Sequence, residues 1–198
     1  MVLPNQLTIL RIILTPVFLI LFLTGEPWLI QLSSVVFIIA AITDWYDGWL
    51  ARKFNYITEW GKFMDPLADK ILTSTAFMAF VIVGILPLWM VLLIIIRDFM
   101  ITLIRVYADY RKVSFTTTRT AQVKTFIQMF FLYYLLLIYT LKSFEGIRVA
   151  YKDLLNFLLD PVAIYITMLL ITLFTVITGI TYIFSNRFLI IKLIKGEN

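Results

Sequence analysis

Asp44-Trp45-Tyr46-Asp47-Gly48-Trp49-Leu50-Ala51-Arg52, followed after eight residues by Gly61-Lys62-Phe63-Met64-Asp65-Pro66-Leu67-Ala68-Asp69, joins two apolar runs that are each too short to stand alone. A helix needs about 20 residues to cross the hydrocarbon core of a bilayer. The charge-free run before this stretch, Pro27 to Thr43, is shorter than that, and the run after it, Ile71 to Val83, is shorter still. The first helix must therefore continue through Asp44 and Asp47, and the second must begin near Asp65 and include Asp69. Ionisable groups are forced into, or just to the edge of, the membrane. Such groups are costly there and by default face a bundle interior or a polar cavity.

Outward from that stretch, the composition makes the bilayer the solvent. Hydrophobic residues are 62% and charged residues 15% of the 198, against about 45–50% and about 25% in a soluble domain. The periodic segments read as an all-α polytopic membrane protein with six transmembrane helices: Leu7–Thr24, Trp28–Arg52, Asp65–Leu86, Leu88–Ala108, Ala121–Leu141 and Asp160–Phe184. Pro27 and Pro87 fall at helix starts, where proline is tolerated, and Gly25 and Gly84 punctuate the preceding ends. No repeat or linker interrupts residues 1–198, which read as a single domain. The opening Met1-Val2-Leu3-Pro4-Asn5 lacks the basic region and small-residue cleavage site of a secretory signal, so the first apolar segment is expected to remain as a span.

Lysine and arginine counts set the expected orientation. The connections around Arg52–Lys62 and Arg111–Arg119 and the tail Arg187–Lys195 are basic, whereas the first and third connections carry neither residue. The positive-inside bias then places both termini and both basic loops in the cytoplasm. Lys142, Arg148 and Lys152 dissent, but acidic residues accompany them, and Val149–Leu159 reads as an amphipathic interfacial helix. The net charge of +5 reflects this bias rather than nucleic-acid binding, for which no soluble basic domain is present.

The chain has no cysteine and no histidine. A disulfide framework, a thiol nucleophile and a zinc–thiolate site are excluded. Acid–base chemistry near neutral pH falls to carboxylates and amines. A metal site must be oxygen-rich, which favours Mg²⁺ or Mn²⁺.

Asp44, Asp47 and Ala51 lie at i, i+3 and i+7 on one face of the second helix, and Asp65 and Asp69 share a face of the third. A short reversal through Asn55–Gly61 would make these helices antiparallel neighbours and bring four carboxylates together. At low dielectric they repel unless cations lie between them. Two divalent ions would neutralise the cluster and could clamp the attacking and leaving oxygens of a phosphoryl transfer. Gly48 removes a side chain where a nucleotide or pyrophosphate could approach the backbone. Arg52, one turn beyond, offers a planar fork to phosphate oxygens. Taken singly, each aspartate is an ordinary cap or surface charge. Intramembrane carboxylates also mark cation or proton pathways. A transporter fits less well, because the acids gather at one membrane face and no inverted repeat is visible.

The pattern D-x2-D-G-x2-A-R-x8-G-x3-D-x3-D resembles the signature of the CDP-alcohol phosphotransferase (CDP-alcohol phosphatidyltransferase) family. It is matched at every fixed position, Asp44, Asp47, Gly48, Ala51, Arg52, Gly61, Asp65 and Asp69. The resemblance implies a six-helix fold, CDP-diacylglycerol as donor and CMP as product. It implies two Mg²⁺ or Mn²⁺ ions held by Asp44, Asp47, Asp65 and Asp69, and donor contacts at Asp47, Gly48, Ala51, Arg52 and Gly61. It also implies Asp69 as general base and a homodimer.

At lower specificity, Leu3-Pro4-Asn5-Gln6-Leu7-Thr8-Ile9-Leu10-Arg11, Arg97-Asp98 with Arg105, Lys124-Thr125 and Thr178-Gly179-Ile180-Thr181-Tyr182 resemble the branch of bacterial phosphatidylglycerophosphate synthases. That branch implies glycerol-3-phosphate as acceptor and a bacterial inner membrane with the site facing the cytoplasm. An anionic acceptor also suits Arg97, Arg105, Arg119 and Lys124, which helix lengths place at one depth and which can form charge-assisted contacts to a phosphomonoester. For Arg97 the competing role is pairing with Asp98. The branch usually shows Gly-Lys-x-Lys-Thr where this chain has Ala121-Gln122-Val123-Lys124-Thr125, so glutamine replaces a phosphate-binding lysine, and Arg119 lies one turn away. Another acceptor (an inositol phosphate, serine or a second lipid) is the alternative within the family.

Overall fold

The computed structural model describes residues 3–54, 59–111 and 119–195, with the side chains of residues 3–4, 45, 47–48, 50–52, 54, 59–60, 62, 119, 121 and 192–195 outside the description. Within those limits the chain is all helix: α1 (Leu3–Leu23), α2 (Pro27–Phe54), α3 (Glu59–Ile82), α4 (Leu88–Tyr110), α5 (Arg119–Ser143), α6 (Glu145–Ala150), α7 (Lys152–Leu158), α8 (Pro161–Ser185) and α9 (Arg187–Lys195). As the short apolar runs require, α2 continues past Asp44 and Asp47 and α3 contains both Asp65 and Asp69. α3 starts at Glu59, a turn and a half before the expected Asp65. The interfacial segment is two short helices broken at Tyr151 rather than one.

Among the described residues four stretches are long and apolar enough to cross a membrane: Asn5–Leu23, Pro27–Asp44, Gln122–Ser143 and Lys152–Ser185, the last running through α7 and α8. α3 and α4 have the length but carry more charge. The two tight reversals use Gly25 and Gly84 at φ 77° and 79°, the left-handed conformation in which a side chain is disfavoured. Asp160 caps α8 by accepting a hydrogen bond from the Ala163 amide at 2.8 Å, with Pro161 in the first turn.

Large apolar side chains cover much of the surface, and several polar ones are buried. Ile13, Ile20, Val35, Ile42, Ile96 and Leu103 are exposed, whereas Thr8, Arg11, Ser33, Lys124 and Thr175 are buried. A surface this apolar suits lipid, not water. One end of the interior is hydrophobic: Phe22 meets Phe80 edge-on at 5.3 Å and Tyr139 at 5.1 Å, and Phe18 contacts Phe37 at 5.2 Å. The stripe of α1 that enters this core, Phe18 and Phe22, continues toward the N-terminus as Thr15, Arg11, Thr8 and Asn5, all buried. The same helix face is thus apolar at one end of the bundle and polar at the other. α1 packs against both α2 and α3, which themselves touch little among the described residues. The direct α2–α3 neighbourhood expected from the sequence is present but slight among the described residues, with α1 lying more extensively against both helices.

Candidate active site

At the polar end, α2 brings Asp44, and α3 brings Asp65 and Asp69, whose charges both reach Asp44. α1 meets two of these carboxylates. The Arg11 Nη1 lies 2.6 Å from Asp44 Oδ1 as an ion pair, with the Arg11 side chain fully buried. The Thr8 hydroxyl donates to Asp65 Oδ1 at 2.5 Å. Asp69 Oδ2 is 3.1 Å from the Lys70 ammonium. Gly61 is buried on α3. Asp47, Gly48, Ala51 and Arg52 lie on α2, but their side chains, like that of Arg119 at the start of α5, fall outside the described ones. So does part of the expected reversal through Asn55–Gly61.

Lys70 also faces a second compartment. With Arg97, Asp98, Arg105, Gln122 and Thr125 it lines a cavity of about 510 Å³ between α3, α4 and α5. Arg97 and Arg105 each have a seat on α8. Arg97 donates through Nη2 to the Thr178 hydroxyl at 3.3 Å and through Nη1 to Asp98 Oδ1 at 3.0 Å. Its stem crosses Gly179, where an added Cβ would stand 2.9 Å from Arg97 Cγ. Arg105 Nε donates to the Tyr182 hydroxyl at 3.4 Å, and its guanidinium lies over the Tyr182 ring. The Thr178–Tyr182 segment thus carries both cavity arginines.

Lys124 is placed differently from Arg97 and Arg105. Its side chain is fully buried, its ammonium donates to Asp98 Oδ1 at 2.5 Å, and it is not among the cavity-lining residues. Gln128, one turn on, donates to Asp98 Oδ2 at 3.2 Å. Asp98 therefore holds Arg97 and Lys124 together; Arg97 makes the expected pair with Asp98 and also lines the cavity. Gln122, the departure from the branch pattern, lines the same cavity.

Thr8, Arg11, Lys70, Gln128, Thr178 and Tyr182 were not assigned site roles from the sequence. A signal was present for some of them. Asn5, Thr8, Arg11 and Thr15 recur at helical spacing inside an apolar segment, and Lys70 directly follows Asp69.

Among the described residues no three carboxylates stand close enough to hold one ion. The donor set still fits a hard divalent cation. Every candidate ligand is a carboxylate oxygen, Asp65 and Asp69 act electrostatically on Asp44, and among the described residues neither Asp44 Oδ2 nor Asp65 Oδ2 has a hydrogen-bond donor.

A carboxylate cluster and a cation-lined cavity thus meet at Asp69–Lys70 in a largely apolar helical bundle, an arrangement compatible with a membrane-embedded phosphotransferase. The model of the CDP-alcohol phosphatidyltransferase family matches residues 1–191, and the chain belongs to that family, whose members are generally dependent on divalent metal. Among similar proteins are two named CDP-diacylglycerol--glycerol-3-phosphate 3-phosphatidyltransferase. The one from Rickettsia typhi is 34% identical over 91% of this chain and 94% of its own length. The one from Bacillus subtilis is 35% identical over 93% and 94%. A protein of the same name from Salmonella typhimurium is 48% identical over a shorter stretch, 37% of this chain and 40% of its own length.

Proposed function

We propose that this chain transfers the phosphatidyl group of CDP-diacylglycerol to glycerol-3-phosphate, giving phosphatidylglycerophosphate and CMP, at the cytoplasmic face of a membrane it crosses six times. The observation that carries the reading is the position of Lys70, which touches Asp69 and lines the cavity of Arg97 and Arg105. It puts a carboxylate beside a compartment suited to a phosphomonoester. Relatives of matching length that bear the corresponding name support the same donor and acceptor.

Asp44, Asp47, Asp65 and Asp69 would hold two Mg²⁺ or Mn²⁺ ions, which when bound neutralise the donor pyrophosphate and the charge that builds on the phosphoryl oxygens. Gly48, Ala51, Arg52 and Gly61 border the donor. Arg97 and Arg105 orient the acceptor phosphate, with Arg119 at the start of α5 as a further cation. Lys124 contributes through Asp98 rather than by contact. Asp69 accepts the acceptor hydroxyl proton as that oxygen bonds to the lipid-side phosphorus and the bond to the CMP phosphate breaks. The acyl chains stay in the bilayer and CMP leaves to the cytosol. The length of α2, about 42 Å at 1.5 Å per residue, lets it span the core and still carry Asp44 and Asp47 near its cytoplasmic edge. A homodimer in a bacterial inner membrane is the expected setting.

CMP release from CDP-diacylglycerol tests the reading when glycerol-3-phosphate, an inositol phosphate, serine and a lipid alcohol are offered in turn. Glycerol-3-phosphate should be strongly preferred, chelation should abolish turnover, and Mg²⁺ or Mn²⁺ should restore it. Asp69→Asn should lower turnover by about 10²-fold or more with little loss of donor binding. Preference for another acceptor would end the acceptor assignment, and full activity without metal would end the ion assignment.

A further inference from the structure

α1 has no part in the signature that defines the site, yet it touches two of its four aspartates. One contact is a hydrogen bond and the other an ion pair, and each engages a single carboxylate oxygen. Thr8 donates to Asp65 and the Arg11 guanidinium pairs with Asp44, and in each case the oxygen engaged is Oδ1. Among the described residues Oδ2 of each carboxylate has no donor. Thr8 and Arg11 are one helical turn apart on the buried face of α1, and both are fully buried. Below them, the Thr15 hydroxyl donates to the Arg11 carbonyl at 2.8 Å. Farther along, Phe18 and Phe22 anchor the same face in the aromatic core. α1 is therefore pinned at its apolar end, with two polar side chains placed at its other end.

A fully buried arginine is expensive to keep in a membrane protein, and it marks function more often than fold. A carboxylate that binds a divalent ion needs its plane fixed, and fixing it with a donor on one oxygen leaves the other for the ion. We propose that Thr8 and Arg11 are positioning residues for the ion site, each holding Oδ1 of a ligating aspartate so that Oδ2 is presented to the metal. The inference rests on the reading of Asp44 and Asp65 as metal ligands. It adds the first helix to the machinery. It also explains why α1 lies against both aspartate helices: one element sets the plane of a carboxylate on each.

Arg11 affects the ion by charge as well as by geometry, and the two effects oppose each other. Arg11→Lys keeps the positive charge while removing the planar fork, and Thr8→Val removes the hydroxyl with no change in charge. Full-length protein in detergent, without donor or acceptor, is titrated with Mn²⁺ while free Mn²⁺ is read from its electron paramagnetic resonance signal. Both variants should raise the Mn²⁺ dissociation constant by about ten- to a hundredfold, the usual scale for losing such a partner. Thr8→Ser should stay near wild type. The metal-free unfolding temperature should change little in Thr8→Val. Turnover should recover at saturating Mn²⁺ with an unchanged KM for glycerol-3-phosphate. If wild type binds Mn²⁺ and Thr8→Val and Arg11→Lys bind it equally well or more tightly, the positioning role is overturned while the ion site stands. If wild type binds no Mn²⁺, the ion assignment itself falls and takes this inference with it.

Discussion

Gly179→Ala adds a single methyl group to α8, and the structure says where it goes. The new carbon would stand 2.9 Å from Arg97 Cγ, 3.4 Å from Nε and 3.7 Å from Cδ. Saturated carbons are comfortable at about 3.5–4.0 Å, so the middle of the arginine stem must move by at least half an ångström or so. A displacement at Cγ swings the guanidinium farther, because the head lies beyond the pivot. That head is fixed by Asp98 at 3.0 Å and Thr178 at 3.3 Å, and both contacts cannot survive the swing. If Arg97 orients the acceptor phosphate, the variant loses about one charge-assisted hydrogen bond, worth about 1.5–3 kcal/mol, or about ten- to a hundredfold in the acceptor KM. Folding should not suffer from backbone effects, since alanine is better than glycine inside a helix by about 0.5–1 kcal/mol. The assay is CMP release against glycerol-3-phosphate at saturating CDP-diacylglycerol, then the converse. An unchanged acceptor KM, or equal rises for both substrates, would refute the seat that Gly179 is argued to provide.

Asp98→Asn should destabilise the protein by about 3–5 kcal/mol, because buried Lys124 and half-buried Arg97 lose the carboxylate they share; thermal unfolding in detergent measures it, and a shift of only a degree or two would count against the network. Gln122→Lys adds an ammonium to the cavity wall beside Arg97 and Arg105 and should lower the glycerol-3-phosphate KM severalfold in the same CMP assay, whereas a raised KM would mean that the cavity does not hold the acceptor phosphate. The absence of native cysteine makes topology easy to read: in intact cells an impermeant maleimide should label Glu26→Cys, and should label Arg111→Cys only after permeabilisation. The reverse pattern would invert the orientation.

Much of this was legible because a bilayer leaves few choices. Apolar runs too short to span forced Asp44, Asp47, Asp65 and Asp69 into helices, and α2 and α3 do include them. The starts at Pro27 and Pro161 and the turns at Gly25 and Gly84 follow from local backbone preference. What the sequence did not yield was which helix lies beside which. Spacing along α2 and α3 shows that their aspartates share faces, but not that α1 would pack against both. The burial of Lys124 was hidden for a similar reason. A lysine at the mouth of a span reads as a cavity cation until a partner on another helix is known, and here Asp98 on α4 takes it. Arg97 was readable only as a choice between pairing with Asp98 and contacting the acceptor, and a guanidinium with several donors leaves room for both.

The charges left over after internal pairing point to the same chemistry from another direction. On the α4–α5 side, Arg97 and Lys124 share the single carboxylate of Asp98, and Arg105 is held by a neutral tyrosine. Among the described groups, that wall keeps an excess of positive charge. On the α2–α3 side, Asp44, Asp65 and Asp69 stand with Arg11 and Lys70, so among these five described groups the carboxylates outnumber the cations. Neither imbalance is cheap at low dielectric. With the substrates and ions proposed above, an anionic acceptor would relieve the first imbalance and divalent cations would relieve the second. Lys70 stands between the two halves, close to Asp69 and open to the cavity.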